Sequence, residues 1–313
     1  MSRRVAGIDC GTNSIRLLIA DADEHGLTEV VRRMEVVRLG EGVDRTGRIS
    51  EAALERAFVR CEMYAQECRD HDVEAVRFVA TSASRDARNA AEFVALVSDA
   101  FSLWETRPEV ISGEEEAELS FIGATGGVAT AGVRAPYLVV DIGGGSTEVV
   151  RGTDHVEAAV SLDIGCVRLT ERHLHDDPPT AAQVAATLAD VDAALQTACA
   201  AVDLTGVRTL VGLAGTVTTV TAHLLGLEIY DSSRIHLTRS ASGEVVAACR
   251  ELEAMTRAQR RALSYIHPGR ADVIGAGALV WRRIVETVGG RAPLETVLTS
   301  EQDILDGIAL SLR

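Results

Sequence analysis

Residues 4–20, RVAGIDCGTNSIRLLIA, contain two apolar runs joined by a short polar turn. The pattern predicts a buried strand from Arg4 to Ile8 and a returning strand from Ile15 to Ala20. Asp9 stands at the end of the first run, and Gly11 allows the chain to reverse. In such a turn the backbone N–H groups and the next three side chains can face an anion: Thr12, Asn13 and Ser14.

The same pattern returns in residues 137–151, YLVVDIGGGSTEVVR. Here Tyr137 to Val140 is predicted as a strand and Thr147 to Arg151 as the strand that returns. The turn between them carries Asp141 and the candidate phosphate-binding residues Gly143, Gly144, Gly145, Ser146 and Thr147. One glycine-rich hairpin is a weak signal, but two at equivalent positions indicate an internal duplication with a functional loop in each half.

Each half continues with a strand, a turn of small or polar residues, and a helix. In the first half these are predicted at Val76–Ala80, Thr81–Arg88 and Ala90–Ala100. In the second half the strand Arg208–Val211 is followed by a turn that contains Gly215 and Thr216, and by a helix through Leu225. Further predictions are a strand at Val30–Leu39, a helix capped by Ser50, a helix over Thr180–Val202 and a linker at Gly123–Arg134.

Alternating strands and helices in two similar halves predict an α/β protein of two domains that face one another, with ligands between them at the strand ends. The first domain is expected over residues 1–125, with an amphipathic helix at Thr299–Leu312 packing back on it. We place that returning segment at residues 299–313 and the second domain at 126–298.

The composition of the 313-residue chain excludes several classes of function. Lysine is absent, so a Walker lysine, a Schiff base and a kinase strand lysine are all excluded. The net charge of −15 argues against a general nucleic-acid binder. Because no apolar run is long enough for a membrane span and no signal peptide is evident, we expect a cytoplasmic protein without a membrane partner.

The two turn aspartates, Asp9 and Asp141, cannot approach phosphate directly without repulsion. A divalent cation is therefore expected between carboxylate and phosphate, namely Mg²⁺ or another such as Mn²⁺, and Glu148 can complete its ligands. The alternative is that both aspartates only cap their turns.

Three adjacent carboxylates, Glu114 to Glu116, follow Ser112-Gly113 at a predicted helix start. They can simply stabilise the helix dipole. A carboxylate that is partly desolvated near phosphates would instead have a raised pKa and could deprotonate a water. Arg85 and Arg270 are candidate phosphate clamps, although a lone arginine more often forms a surface ion pair.

Together these segments resemble the exopolyphosphatase / guanosine pentaphosphate phosphohydrolase (Ppx/GppA) family, particularly its short two-domain actinobacterial exopolyphosphatases. The resemblance rests on residues 9–14, 112–117, 141–148 and 212–216, which occur in family order, and on residues 38–40 and 162–168. It implies a duplicated ribonuclease-H-like fold of the actin-like ATPase, sugar kinase and heat-shock-protein superfamily. It also implies a Mg²⁺-dependent phosphohydrolase that uses the Ser-Gly-x-Glu-Glu glutamates.

By motif position, the resemblance makes Glu116 the catalytic base and Glu115 its neighbour. It further implies that Asp141, Gly143 and Glu148 bind metal and phosphate, and that Asn13, Ser14 and Arg85 line the phosphate channel. Longer family members continue into a helical domain after the position where this sequence ends. Short-chain inorganic polyphosphate is accordingly the favoured substrate, with pppGpp second, and a homodimer is expected.

Two other functions remain open at the level of sequence. A sugar or acetate kinase shares the superfamily fold, but the glutamate run favours hydrolysis. A sensor that binds polyphosphate or an alarmone with little hydrolysis is the non-enzymatic alternative.

Overall fold

The computed structural model describes residues 2–292, 294 and 296–313. The chain divides into two compact units, one formed by Met1–Gly123 with Ile304–Arg313 and the other by Ala124–Asp303. None of the helices in the described ranges combines the length and the apolar character that a membrane crossing requires.

The first unit is built on one sheet. Its strands are β1 (Arg3–Cys10), β2 (Ser14–Asp23), β3 (Gly26–Val36), β4 (Ala75–Ala80) and β5 (Glu109–Val110). Its helices along this part of the chain are α1 (Val43–Thr46), α2 (Glu51–Asp70), α3 (Ser82–Asp86), α4 (Ala90–Ser98) and the beginning of α5 (Gly113–Thr130). The strands lie in the order β3-β2-β1-β4-β5, with β1 antiparallel to β2 and parallel to β4.

The second unit is built on a second sheet. Its strands are β6 (Tyr137–Ile142), β7 (Thr147–Gly152), β8 (Val156–Leu162), β9 (Thr209–Leu213), β10 (Arg239–Ser240) and β11 (Thr296–Thr299). Its helices are α6 (Cys166–His173), α7 (Ala181–Ala201), α8 (Ala214–Leu224), α9 (Ser232–Ile235), α10 (Ser242–Ala254), α11 (Arg257–Arg261) and α12 (Ile274–Gly289). A last helix, α13 (Ile304–Leu310), belongs to the first unit.

The two sheets repeat one topology. The strand order β3-β2-β1-β4-β5 in the first unit is matched by β8-β7-β6-β9-β11 in the second, where β10 is added beside β11. In both, an antiparallel three-stranded meander is extended by parallel strands on the side of its first strand. The predicted α/β class and the internal duplication are therefore confirmed.

The sheet of the first unit is buried on both faces. Ala6, Ile8 and Leu17 belong to the core that includes α2 and α4. Their neighbours Val5 and Leu18 point to the other face, where they pack with Leu305 and Ala309 of α13. This two-sided burial explains why both runs of the opening hairpin are continuously apolar.

α13 packs tightly against α5 at Gly307. A Cβ built on Gly307 would lie 2.0 Å from the Leu119 carbonyl oxygen, which belongs to the α5 backbone. Only glycine allows the two helix backbones to approach this closely.

We expect Gly307→Ala to lower the free energy of unfolding by about 1–3 kcal/mol, because the added methyl must push α13 away from α5. Urea unfolding followed by circular dichroism measures this change. Gly126→Ala is the matched control, since a Cβ at Gly126 in α5 meets nothing within 4 Å. Equal stability of Gly307→Ala and the wild type would contradict the close contact.

The boundary between the two units falls at the start of the predicted linker Gly123–Arg134, after Gly123, but most of this segment is helical because α5 continues to Thr130. Its glycines and alanines suggested a flexible segment. In the structure Ala124 and Val128 are buried, and Gly127 has the Gln302 side chain against it. Tertiary packing thus stabilises a helix that its composition disfavours.

Other predicted elements differ in extent. Thr81–Arg88 is not only a turn but contains the short helix α3. The third strand begins at Gly26 rather than Val30, since Asp23 pairs with Gly26 around a tight hairpin. The C-terminal helix is shorter than Thr299–Leu312 and is buried almost throughout instead of being amphipathic.

Candidate active site

The loop between β1 and β2 is closed by a hydrogen bond of 2.9 Å from the Gly11 N–H to the Ser14 carbonyl oxygen. The N–H groups of Val37 and Arg38 donate to the Asn13 carbonyl oxygen at 3.1 and 2.8 Å, and that of Gly40 donates to the Thr12 carbonyl oxygen at 2.8 Å. A trans peptide is planar, and its C=O and N–H groups point in opposite directions. The N–H groups of Asn13 and Ser14 are therefore directed away from residues 37–40, as an anion-binding loop requires.

The loop between β6 and β7 is oriented by the start of α6. Backbone N–H groups of residues 166–168 donate to the Gly143 and Gly144 carbonyl oxygens at 2.9–3.1 Å. The Arg168 side chain donates from Nε to the Gly145 carbonyl oxygen at 2.7 Å. By the same peptide geometry, three N–H groups are directed away from α6: those of Gly144, Gly145 and Ser146.

A glycine is packed against each loop at the equivalent place. A Cβ on Gly165 would lie 2.4 Å from the backbone carbon and oxygen of Gly144. A Cβ on Gly40 would lie 2.3 Å from Cγ2 of Thr12. The backbone of the second loop thus depends on Gly165 for its shape, whereas Gly40 leaves room for the Thr12 side chain. Sequence reasoning identified neither contact.

Asp9 and Asp141 occupy equivalent positions in β1 and β6 but have different cross-strand partners. Asp9 pairs with Arg16, whose Nε and Nη2 donate to Asp9 Oδ2 at 2.9 and 2.6 Å. Asp141 pairs with Glu148 in the same relative position, and both carboxylates are buried. The first unit therefore has a carboxylate–guanidinium pair where the second has two neighbouring carboxylates.

Glu116 lies in the first turn of α5 and is 8% exposed. Arg85 Nη1 in α3 donates to Glu116 Oε2 at 2.6 Å and also to the Ile111 carbonyl oxygen at 3.1 Å. Burial raises the pKa of Glu116 to about 7, although the Arg85 charge and hydrogen bond act in the opposite direction. A carboxyl with this pKa can accept a proton near neutral pH.

Glu115 has a different environment from its neighbour. Its Oε1 accepts a hydrogen bond of 2.6 Å from Arg77 Nη2, and 43% of its side chain is exposed. The two glutamates of the motif thus bind different arginines. Desolvation distinguishes Glu116 as the better candidate for a base.

At the start of α8, Arg270 lies against Gly215. A Cβ on Gly215 would lie 2.3 Å from the guanidinium carbon of Arg270. The residue before it, Ala214, has a φ of 63°, a left-handed conformation that costs energy for a residue with a Cβ. The Thr216 hydroxyl and Arg270 both lie near the Cys166 thiol, so the structure brings these two candidate residues together.

The threonine hydroxyls of the two loops differ in their hydrogen bonding. Thr147 Oγ1 donates to the Ile164 carbonyl oxygen at 2.6 Å, so this side chain holds the loop to the chain after β8. The Thr12 hydroxyl is buried and, in the described part of the chain, has no hydrogen-bond partner. Buried polar groups normally have partners, so Thr12 is suited to bind a ligand.

Comparison with known protein families gives a match to the Ppx/GppA phosphatase family over residues 18–307. The chain belongs to this family. The resemblance that its motifs indicated is confirmed, and with it the actin-like ATPase fold.

Ppx/GppA relatives match the chain along nearly its whole length. Exopolyphosphatase 2 of Mycobacterium tuberculosis is 50% identical, with 99% of this chain and 98% of that protein covered. The crystal structure of an exopolyphosphatase-like protein has a TM-score of 0.95 at 46% identity, covering 99% and 98% of the two chains. A guanosine-5'-triphosphate,3'-diphosphate pyrophosphatase of Aeromonas salmonicida is 32% identical, with 90% of this chain and 55% of that protein covered.

Sequence reasoning missed Arg16 and Arg77 within this Ppx/GppA chain. Arg16 could have been found from the predicted hairpin, because pairing the two strands places Arg16 opposite Asp9. Arg77 stands in a strand with no motif around it, and no local signal connects it with Glu115.

Proposed function

We propose that this protein is an exopolyphosphatase that releases terminal orthophosphate from inorganic polyphosphate, with a preference for short chains. The observation that carries the proposal is Glu116, a buried carboxylate whose pKa is raised to about 7, in a chain of the Ppx/GppA phosphatase family. The name of the M. tuberculosis relative supports polyphosphate as the substrate.

Glu116 is proposed to take a proton from the water that attacks the terminal phosphorus. Arg85 holds Oε2 of this carboxylate, so the other oxygen is the candidate proton acceptor. Each glycine loop has N–H groups suited to bind phosphate oxygens and to stabilise their negative charge. Glu116 would then release the proton as the product leaves.

Asp141 and Glu148 fit a divalent cation. They are buried carboxylates at paired positions on adjacent strands, and carboxylate oxygens are the ligands that Mg²⁺ prefers. Mg²⁺ commonly completes its ligands with water and with substrate phosphates, so two protein carboxylates can suffice. When bound, Mg²⁺ or Mn²⁺ would neutralise charge on the phosphates. Asp9 stays a predicted ligand of a divalent cation, and Arg16 donates to its Oδ2 oxygen.

The preference for short chains follows from charge. A long polyphosphate must extend beyond the loops over the surface of a protein with a net charge of −15 and no lysine. Repulsion by this surface weakens the binding of long polyanions more than that of short ones.

A second candidate reaction is the 5'-phosphohydrolysis of pppGpp. The name of the A. salmonicida relative favours it, since that protein is a guanosine-5'-triphosphate,3'-diphosphate pyrophosphatase. Both substrates end in a phosphoric anhydride, so one water-activating glutamate would serve both.

A phosphate-release assay with the purified chain tests these alternatives. Polyphosphates of several lengths and pppGpp are compared, each with and without Mg²⁺ or Mn²⁺. Metal-dependent release from short polyphosphate supports the proposal, and faster release from pppGpp favours the second candidate. Calorimetric binding without release would favour a sensor, and transfer of label from ATP to an acceptor would favour a kinase.

The activity should depend on pH through Glu116. Because the base must be deprotonated, kcat/KM is expected to rise with pH and to level off above about 7. Arg85 lowers this pKa, so Arg85→Met should move the rise to higher pH, whereas Arg85→Lys should move it less. The measurement is kcat/KM from pH 5 to 9 for the wild type and both variants. A rise displaced to lower pH in Arg85→Met would contradict the assignment of Glu116 as the titrating base.

A homodimer, a cytoplasmic location and the absence of nucleic-acid and membrane partners stay predictions. Size-exclusion chromatography with light scattering would measure the oligomeric state directly.

A further inference from the structure

The Arg77 guanidinium joins three elements of the first unit. From β4 it donates to Glu115 Oε1 in α5 at 2.6 Å and to Glu109 Oε2 in β5 at 2.9 Å. Its Nη1 donates to the Ser311 hydroxyl, just after α13, at 3.0 Å. Only 17% of the Arg77 side chain is exposed, so this group is held among its partners.

Glu115 and Glu116 are consecutive in α5 and project in directions that differ by about 100° around the helix axis. Each carboxylate is held by a different arginine, Arg77 for Glu115 and Arg85 for Glu116. Arg77 belongs to β4 and Arg85 to α3, which follows β4 almost directly. Two adjacent residues of α5 are thus tied to one continuous strand–helix segment.

The start of α5 has one further local constraint. The Ser112 hydroxyl accepts a hydrogen bond of 3.1 Å from the Glu115 N–H, which caps the helix. A cap limits fraying of the first turn but does not set the rotation of the helix about its own axis. Packing of Leu119 against Gly307 restrains the helix one turn further on. At the first turn itself, two ion pairs about 100° apart oppose a local rotation more strongly than a single pair at Glu116 does.

We propose that Arg77 is a positioning residue for phosphate release, which acts through Glu115 to fix the direction of the Glu116 carboxylate. This inference rests on the proposed role of Glu116 as the base. It assigns Glu115, the other glutamate of the motif, to orientation of its neighbour rather than to proton transfer.

The position of Arg77 separates this role from an electrostatic one. The largest charge effects on the pKa of Glu116 come from Arg85, Asp9 and Arg16. The carboxylates that Arg77 binds are largely solvated, with Glu115 43% and Glu109 49% exposed, and ion pairs to such groups contribute little to stability. Loss of Arg77 should therefore change the turnover and leave both the pH profile and the fold in place.

Steady-state kinetics of Arg77→Met with polyphosphate tests the inference. We expect kcat to fall by about 10- to 100-fold, because a misplaced catalytic group is costly. KM should stay within about twofold, and the pH at which kcat/KM rises should not move. Arg77→Lys keeps the charge and should recover part of the loss.

Glu115→Ala should match Arg77→Met, and the double variant should be no slower than either single variant. Additive losses would overturn the inference, because the two residues would then act independently. Equal loss in Glu109→Gln, which alters a different partner of Arg77, would also overturn it by indicating a general effect on the sheet. Wild-type kcat in Arg77→Met would do the same.

Glu116→Gln separates this inference from the proposed function. If Glu116→Gln retains wild-type turnover, the base assignment fails whatever Arg77 does. If Glu116→Gln is inactive while Arg77→Met has wild-type kcat, only the positioning role fails.

Discussion

Replacing Glu116 by glutamine is expected to lower kcat for orthophosphate release by about 10²- to 10⁴-fold, the usual contribution of a general base. Glutamine has nearly the same shape and can still accept a hydrogen bond from Arg85. It has no basic oxygen at neutral pH. Substrate binding should therefore remain while proton removal from the attacking water is lost, so that KM changes much less than kcat.

Glu114→Gln is the matched control, since Glu114 lies in the same helical turn but is exposed. This variant should release phosphate at the wild-type rate. The measurement is phosphate release under single-turnover and steady-state conditions. Similar losses in both variants would show that the helix, rather than the Glu116 carboxylate, is what matters.

Glu116→Gln should also make the free energy of unfolding less dependent on pH. The folded pKa of Glu116, about 7, is above its ordinary value of 4.5, so the folded state binds this proton more tightly. The stability that results is fully present below pH 4.5 and is lost as the pH rises through about 7. In Glu116→Gln this component is absent. Urea unfolding at pH 5 and pH 8 should therefore differ less for the variant than for the wild type.

Gly165→Ala is expected to reduce kcat/KM by about 10²-fold, the scale of loss for a displaced binding group. The backbone at Gly165 is extended, with a φ of −149° and a ψ of 163°, so alanine is not excluded by its own conformation. The obstacle is space, since the Cβ would lie 2.4 Å from Gly144 backbone atoms and 2.6 Å from the Gly145 nitrogen. Backbone atoms cannot turn aside as a flexible side chain can, so the phosphate loop must shift.

Gly243→Ala in α10 is the control for Gly165→Ala, because a Cβ at Gly243 meets nothing within 4 Å. Affinity for short polyphosphate, measured by calorimetry, should fall in the first variant and not in the second. If Gly165→Ala bound polyphosphate normally, the β6–β7 loop would not be the phosphate site.

Short sequence patterns correctly predicted the elements whose formation depends mainly on neighbouring residues. The two hairpins, the Ser50-capped helix and the helix capped by Thr180 all carry their own periodicity and end signals. The prediction of a linker at Gly123–Arg134 missed the helix because Ala124 and Val128 are buried against partners that are distant in the sequence. Propensity contains no information about such partners.

The candidate site shows the same division. Motif position placed Glu115 and Glu116 together, but only the structure distinguishes the buried carboxylate from the half-exposed one. Arg16 of the first hairpin and Glu148 of the second occupy equivalent positions opposite Asp9 and Asp141. An alignment of the two duplicated loops would have revealed this difference from the sequence alone. The contact of Arg77 with Glu115 could be recognised only in the folded structure, because it joins β4 to α5.

The position of α13 has a consequence for the order in which the chain folds during synthesis. The first unit is completed by Leu305 and Ala309, which cover Val5 and Leu18 from the opening strands. A ribosome releases those strands long before it reaches the helix that covers them. The apolar face of the first sheet therefore stays uncovered by α13 until the whole second unit has been translated. We expect the second unit to fold first, and the first unit to be the one that nascent-chain chaperones protect.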